Sequence, residues 1–169
     1  MWILFLHRNA TVKAHQKISA TEGGFTGGRD DHDTFGSSLA ALGDLNGGGV
    51  TDLAVGATND GGSGRGAVWV LFLHSNGTVK AHQKITDGYG GFTGSLTDFD
   101  KFGSSLAALG DVDGDTVGDL PAGANRAGGR GPGSGVLARP DTHGQGRAQE
   151  RETRAEGDRR EGAHNRRQE

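Results

Sequence analysis

Residues Phe35 to Leu73 read FGSSLAALGDLNGGGVTDLAVGATNDGGSGRGAVWVLFL, and a close copy begins at Phe102 with FGSSLAALGDVDGDTVGDLPAGA. A second pair of matching segments precedes these copies, WILFLHRNATVKAHQKI from Trp2 and WVLFLHSNGTVKAHQKI from Trp69. In both pairs the counterparts lie 67 positions apart, so the repeat contains no insertion. A period of this general size indicates a propeller, a solenoid or another repeat array.

One repeat unit divides into four runs that are typical of short strands. The runs are Ser37–Leu42, Leu53–Gly56, Ala67–Leu73 and Thr78–Ile85. The glycine-rich segment 59–66 and the Asn76-Gly77 pair predict turns between them. Four short strands joined by turns form an antiparallel meander, the shape of one propeller blade. We therefore predict an all-β fold, a partial β-propeller of about two four-stranded antiparallel blades followed by a disordered tail.

The repeat boundaries predict four regions. Residues 1–34 are the end of a preceding blade with its connector, 35–101 a complete blade, 102–124 the start of a second blade, and 125–169 the tail. Met1 occupies the position of Val68 in the middle of a unit, so we expect the natural beginning of the protein to lie upstream.

The tail differs sharply in composition from the repeats. Residues 125–169 contain no Lys, Phe, Trp, Tyr or Ile, which is typical of a disordered segment. A sharper hypothesis is that this segment is the next repeat read out of frame. A GC-rich coding of NGTVKAHQK, read two bases along, gives roughly RHGQGPPE, and the chain has THGQGRAQE from Thr142.

Composition and charge limit the classes of partner. The 33 glycines and 6% aromatic residues argue against a helical bundle. Residues 1–124 carry 8 Lys and Arg against 14 Asp and Glu, and this acidic balance favours cations over nucleic acid. The chain has no cysteine and hence no disulfide, and its apolar run Trp2–Leu6 is too short to span a membrane.

An acidic loop in the second copy predicts a calcium site. Carboxylates occupy positions 1, 3, 5 and 9 of this loop, as Asp111, Asp113, Asp115 and Asp119, and Val117 at position 7 offers a backbone carbonyl. Alternating carboxylates in a tight turn supply the hard oxygen ligands that Ca²⁺ prefers. The loop is not an EF-hand, because position 12 is Ala122 instead of a bidentate glutamate. The alternative interpretation is an Asp-rich surface turn.

The first copy of the loop carries fewer acids. Its corresponding ligands are Asp44, Asn46, Val50 and Asp52, with Gly48 at position 5. Fewer carboxylates predict lower calcium affinity. The second copy has its own departure, because Thr116 stands at position 6, where a sharp turn favours glycine.

These features resemble the FG-GAP repeat, the blade of the integrin alpha-subunit propeller. The resemblance covers roughly residues 2–124, and Thr58 and Asn125 replace the proline of the Gly-Ala-Pro element. The matching motifs are Phe35-Gly36, Phe102-Gly103, Gly56-Ala57 and Gly123-Ala124, with the acidic loops between them.

The resemblance implies a seven-bladed propeller with Ca²⁺ in loops on one face, so further blades are needed for closure. It also implies an extracellular or cell-surface adhesion module, without catalysis, that binds a protein or cell-surface ligand. Asn9 and Asn76 begin glycosylation sequons, which fit that setting. Two alternatives stay open, an accessory propeller domain of a secreted hydrolase and a non-functional gene fragment.

Overall fold

A computed structural model describes residues 1–28 and 32–125 of the chain. The predicted disordered tail lies outside these residues except for Asn125, and so does the out-of-frame hypothesis. No helix in the described ranges has the length and hydropathy that a membrane span requires.

Within these two ranges, eight strands form three antiparallel sheets, and a short π-helical turn, Asp60–Gly64, lies between the fourth and fifth strands. The strands β3 to β6 form one four-stranded meander in chain order, while β1 pairs with β2 and β7 with β8. The all-β prediction is thus confirmed. The strands are β1 Trp2–Leu6, β2 Val12–Lys17, β3 Phe35–Gly43, β4 Asp52–Ala57, β5 Ala67–Leu73, β6 Val79–Ile85, β7 Phe102–Leu106 and β8 Ala122–Ala124.

The four strands predicted for one unit coincide with β3 to β6 to within two residues at every end. The predicted Asn76-Gly77 hairpin is also confirmed. The amide of His74 donates to the carbonyl of Thr78 at 2.8 Å, and Gly77 adopts a positive φ of 79°. The side-chain oxygen of Asn76 accepts from both the amide and the hydroxyl of Thr78, at 3.0 and 2.7 Å, which closes the turn.

One face of the four-stranded sheet is covered by the repeat that precedes it. Trp69 and Leu71 of β5 are buried together with Ile18 and Phe25, which follow β2. The Phe25 ring lies 5.1 Å from Trp69 and 4.9 Å from Phe35, measured between ring centroids. Aromatic contacts of this kind stabilise a core beyond their buried area.

The repeat that follows covers the opposite face. Ala54 and Val68 are buried there against Phe102 and Leu96. Phe92 stacks on Phe102 with ring centroids 5.2 Å apart, at the position where Phe25 contacts Phe35 in a tilted arrangement. The sheet of the complete blade has apolar side chains on both faces. The preceding repeat buries one face, and the following repeat buries the other.

The motif glycines lie where the backbones of adjacent repeats meet. A Cβ atom at Gly56 would lie 2.1 Å from the carbonyl oxygen of Gly103, far inside van der Waals contact. Gly103 has a positive φ of 81°, and its carbonyl accepts a hydrogen bond from the hydroxyl of Ser38 at 2.6 Å. The Gly-Ala of one blade and the Phe-Gly of the next therefore form one contact, which requires glycine on both sides.

We predict that Gly56→Ala lowers the free energy of unfolding by about 1–3 kcal/mol, because the methyl group forces two backbones apart. The matched control is Gly123→Ala, whose new Cβ is too close only to the Ser105 hydroxyl, at 2.2 Å, which can rotate away; its next contacts, at 3.5 and 3.6 Å, are ordinary. Urea denaturation of both variants measures the difference. Equal losses in the two variants would contradict the proposed contact.

Candidate metal centre

The two acidic loops connect the first and second strands of their blades. The first runs from Asp44, just after β3, to Asp52, which begins β4. The second lies between β7 and β8, and its ends are joined by a bridge between Gly110 and Asp119. The repeat therefore places both loops at the same position in the blade.

Three of the predicted ligands in the second loop converge. Asp111, Asp113 and Asp115 are exposed, and each offers a carboxylate oxygen within 4.8 Å of the other two. The loop is folded by hydrogen bonds from its own amides to these carboxylates. Asp111 accepts from Gly114 at 2.7 Å and from Thr116 at 2.8 Å, one on each oxygen.

The spacing of these oxygens fits one calcium ion. Calcium binds oxygen at about 2.3–2.6 Å, so two ligands of the same ion lie at most about 5 Å apart. The 4.8 Å limit of the cluster satisfies that condition. Asp113 and Asp115 each accept a loop amide on Oδ1 only, at 3.2 and 2.7 Å. Both side chains are exposed, and within the described residues their Oδ2 atoms accept no hydrogen bond.

The other two predicted ligands of this loop have different surroundings. Asp119 is partly buried and outside the cluster of three, and its Oδ2 accepts the Val112 amide at 2.7 Å. Val117 is exposed, and its amide donates to Asp115 at 2.7 Å. The ligand roles of both residues stay predictions.

The first loop lacks such a cluster. Both oxygens of Asp44 accept loop amides, from Gly48 at 2.8 Å and Gly49 at 2.7 Å. The side-chain nitrogen of Asn46 donates to Asp52 at 3.0 Å. Val50 is partly buried and packs against the blade core. Only two carboxylates are present here, as the sequence indicates, and the four ligand assignments in this loop also stay predictions.

Asp52 has a structural function that the sequence analysis missed. It is fully buried, and its Oδ2 accepts the Leu45 amide at 3.1 Å while its Oδ1 accepts the Leu73 amide at 3.1 Å. One carboxylate thus ties the acidic loop to the end of β5. The available signal was the aspartate that ends the acidic loop at position 9 in both copies, Asp52 and Asp119.

Position 6 of each loop has the left-handed backbone conformation that the sequence analysis expected. Gly49 has φ 76°, and Thr116, the corresponding residue, has φ 74°. A β-branched residue in this region is strained by roughly 1–2 kcal/mol. The second loop therefore holds its three acids at a cost in local backbone energy.

These observations define the class of protein. A four-stranded antiparallel blade, glycines at the inter-blade contact and an acidic loop between the first two strands together define a β-propeller repeat. Residues 35–71 match the family model described as FG-GAP repeat, so the chain contains an FG-GAP repeat.

The chain is also similar to integrin alpha subunits. It is 36% identical to integrin alpha-2 of Mus musculus over 123 residues, 72% of this chain and 10% of that protein. It is 35% identical to integrin alpha-5 of Xenopus laevis over 97 residues, covering 57% and 9% of the two chains. Integrin alpha pat-2 of Caenorhabditis elegans is 35% identical over 101 residues, covering 60% and 8%. The chain spans about a tenth of the length of these relatives, and the resemblance seen in the sequence is confirmed.

We predict that Asp52→Asn lowers the free energy of unfolding by about 1–3 kcal/mol, since the amide group cannot accept both backbone N–H bonds. The control is Asp44→Asn. Asp44 also accepts two backbone amides, but it is exposed, so a water molecule can accept the hydrogen bond that the asparagine cannot. Chemical denaturation compares the two variants. A larger loss for Asp44→Asn would contradict the assigned role of Asp52.

Exchanging the residues at position 6 tests the backbone strain. Thr116→Gly should raise the free energy of unfolding by up to about 1 kcal/mol, because glycine is unstrained at this φ. The reverse change, Gly49→Thr, should lower it by about 1–2 kcal/mol, since no atom within 4 Å obstructs the Gly49 Cβ position and only the strain is added. Both are measured in EDTA, to exclude metal effects. Shifts of the same sign would contradict the strain.

Proposed function

We propose that the chain is a calcium-stabilised repeat module for protein or cell-surface recognition and that it has no catalytic function of its own. The observation that carries this proposal is the convergence of Asp111, Asp113 and Asp115 within 4.8 Å. Three carboxylates at this distance repel one another, and a bound cation offsets that repulsion. The amides that fold the loop hold the acids together before an ion arrives, so little ordering is needed on binding.

Calcium fits this loop better than a transition metal does. The side-chain donors are carboxylate oxygens, and no histidine belongs to the cluster. Oxygen-only ligands suit Ca²⁺ and Mg²⁺, and an exposed loop that offers no octahedral cage of ligands favours Ca²⁺. A solvent-exposed site of three carboxylates is typical of the weak range of about 10⁻⁴–10⁻³ M, which extracellular calcium concentrations can saturate. This affinity agrees with an extracellular or cell-surface location, which the similarity to integrin alpha subunits also supports.

The bound ion would act on structure. The second acidic loop connects β7 to β8, whose pairing is short, and Asp119 at its end holds the amide of Val112. An ion on Asp111, Asp113 and Asp115 would fix the loop between these strands. The recognition surface would then be formed by neighbouring loops that the ordered blade presents, as is usual for rigid scaffolds.

The two sequons agree with an extracellular module. Asn9 and Asn76 are exposed and lie in equivalent hairpin turns. In each turn the asparagine oxygen accepts the hydroxyl of the threonine two residues later, at 2.7 Å in both cases. The repeat thus presents its two sequons in the same local conformation.

The proposal predicts that Asp113→Ala weakens calcium binding at the second loop at least about tenfold, because the cluster loses one of three anionic ligands. Isothermal titration calorimetry of the full chain measures this effect. The control Asp44→Ala alters the other loop and should leave the tighter binding step unchanged. Unchanged binding by Asp113→Ala, or no saturable binding by the unmodified chain, would contradict the calcium assignment.

A further inference from the structure

The chain contains two Asn-Gly pairs, Asn46-Gly47 in the first acidic loop and Asn76-Gly77 in the hairpin between β5 and β6. Asparagine is chemically labile in such a pair, because the glycine amide nitrogen can attack the side-chain carbonyl carbon without obstruction from a Cβ atom. The attack closes a succinimide ring and releases ammonia. Water then opens the ring and leaves aspartate or isoaspartate, so one water is consumed for each ammonia released. Since both pairs are Asn-Gly, their surroundings decide which one reacts.

The nitrogen that would attack in the first loop is accessible. Gly47 is exposed, and no atom lies within 4 Å of its Cβ position. The next two amides are both engaged, since Gly48 and Gly49 donate to Asp44 at 2.8 and 2.7 Å. The Gly47 amide, in contrast, donates no hydrogen bond to any residue that the structure describes. Within that part of the chain, no hydrogen bond has to break before this nitrogen reacts.

The side chain of Asn46 lies close to the same stretch of backbone. Its Oδ1 is 2.6 Å and its Cγ 3.7 Å from the Cβ position of Gly48, so the side chain folds forward over the glycines that follow it. Its Nδ2 donates to Asp52 Oδ2 at 3.0 Å, which holds the amide group in this orientation. The carbon that is attacked is thus held beside the segment that carries the attacking nitrogen.

The second pair is closed to the same reaction. Gly77 is buried, its amide donates to the His74 carbonyl at 2.8 Å, and its Cβ position lies 3.0 Å from the Phe5 ring. The Asn76 Oδ1 accepts both the amide and the hydroxyl of Thr78, at 3.0 and 2.7 Å. Ring closure at Asn76 would break these hydrogen bonds, so it requires local opening of the hairpin first.

We propose that Asn46 is a site of spontaneous deamidation in the folded chain and that the hairpin protects Asn76 from the same reaction. Both products carry a carboxylate at position 46. The repeat counterpart of this position is Asp113, so the aspartate product reproduces the residue that the second acidic loop already has. Deamidation therefore makes the first loop resemble the second at loop position 3.

The new charge would face Asp52. Asp52 is fully buried, and its Oδ2 accepts the Leu45 amide and the Asn46 side chain, at 3.1 and 3.0 Å. Deamidation replaces the Asn46 donor with a second acceptor that carries the same charge as Asp52, and like charges at this distance repel. In the absence of a cation, the deamidated chain is therefore less stable than the unmodified chain.

A second consequence rests on the proposed calcium function, which the deamidation itself does not require. The product loop has carboxylates at loop positions 1, 3 and 9, contributed by Asp44, position 46 and Asp52. A bound Ca²⁺ would offset the repulsion at Asp52, and an additional carboxylate raises the calcium affinity of a loop. Deamidation would thus strengthen calcium binding by the weaker loop as the protein ages.

Peptide mapping of the full chain, produced in bacteria so that no sequon carries a glycan, measures the modification. Trypsin cleaves after Lys and Arg and separates the two pairs, because residues 30–65 contain Asn46 and residues 66–80 contain Asn76. During incubation of the folded chain in mildly alkaline buffer, tandem mass spectrometry should find the side-chain NH₂ replaced by OH at Asn46 at least about tenfold faster than at Asn76. A sample digested without incubation corrects for reaction during digestion.

The same incubation in urea is the control for chemistry without structure. The two rates should converge there, because the hairpin that protects Asn76 is unfolded. Equal rates in the folded chain, or a faster reaction at Asn76, would overturn the proposal.

Two aspartate variants test the effect of the charge on Asp52. Asn46→Asp adds a carboxylate opposite Asp52, whereas the matched control Asn76→Asp adds the same charge in the hairpin and keeps an oxygen that accepts from Thr78. In EDTA, Asn46→Asp should lower the urea midpoint of unfolding, and Asn76→Asp should leave it nearly unchanged. Equal midpoints for the two variants would overturn the predicted repulsion.

A calcium titration separates this proposal from the proposed function. Saturating Ca²⁺ should raise the urea midpoint of Asn46→Asp by more than it raises that of the unmodified chain. An equal rise in both would contradict calcium binding by the first loop, whereas the peptide mapping decides the deamidation by itself.

Discussion

The fold depends on the covering of both faces of one four-stranded sheet by adjacent repeats. Phe25 from the preceding repeat packs on Trp69, and Gly103 of the following repeat approaches Gly56 on the opposite face. A sheet with two apolar faces has no stable exposed form in water, so the blade requires both neighbours. The order of elements along the chain follows from this requirement. The connector of each repeat packs against the next blade, and the motif glycines allow the two backbones to meet.

The acidic loops depend on the same framework. Asp52 is buried because β5 passes beside it, and its carboxylate connects the loop to the Leu73 amide. Asp119 keeps the bond to the loop amide, but its chain offers no β5 beside it in the described residues. The second loop nevertheless brings three carboxylates within 4.8 Å of one another, whereas the first loop contains only two and no such cluster. Thus the loop whose three carboxylates cluster lies in the blade of which the described residues include only β7 and β8.

Much of this structure could be predicted from the sequence, because local signals and the repeat agree. The Asn76-Gly77 pair, the β-branched and aromatic run at β5 and the constant offset fixed the strands to within two residues. The convergence of Asp111, Asp113 and Asp115 also followed from alternating acids in a tight turn. In contrast, Trp2 and Trp69 have nearly identical local sequences but opposite exposure. Burial is set by neighbours in space, which local sequence does not specify. The use of Asp52 as a tie to β5 was missed for the same reason.

Native-state amide hydrogen exchange at low protein concentration tests the central claim most directly, that adjacent repeats together enclose one blade. Leu71 and Leu4 are repeat counterparts with the same local sequence pattern, so their intrinsic exchange rates are closely matched. The account predicts that the Leu71 amide, paired with β4 and buried, exchanges at least about a hundredfold more slowly than the Leu4 amide on the open edge. Rapid and equal exchange at both positions would contradict it, because the blade would then have no stable core.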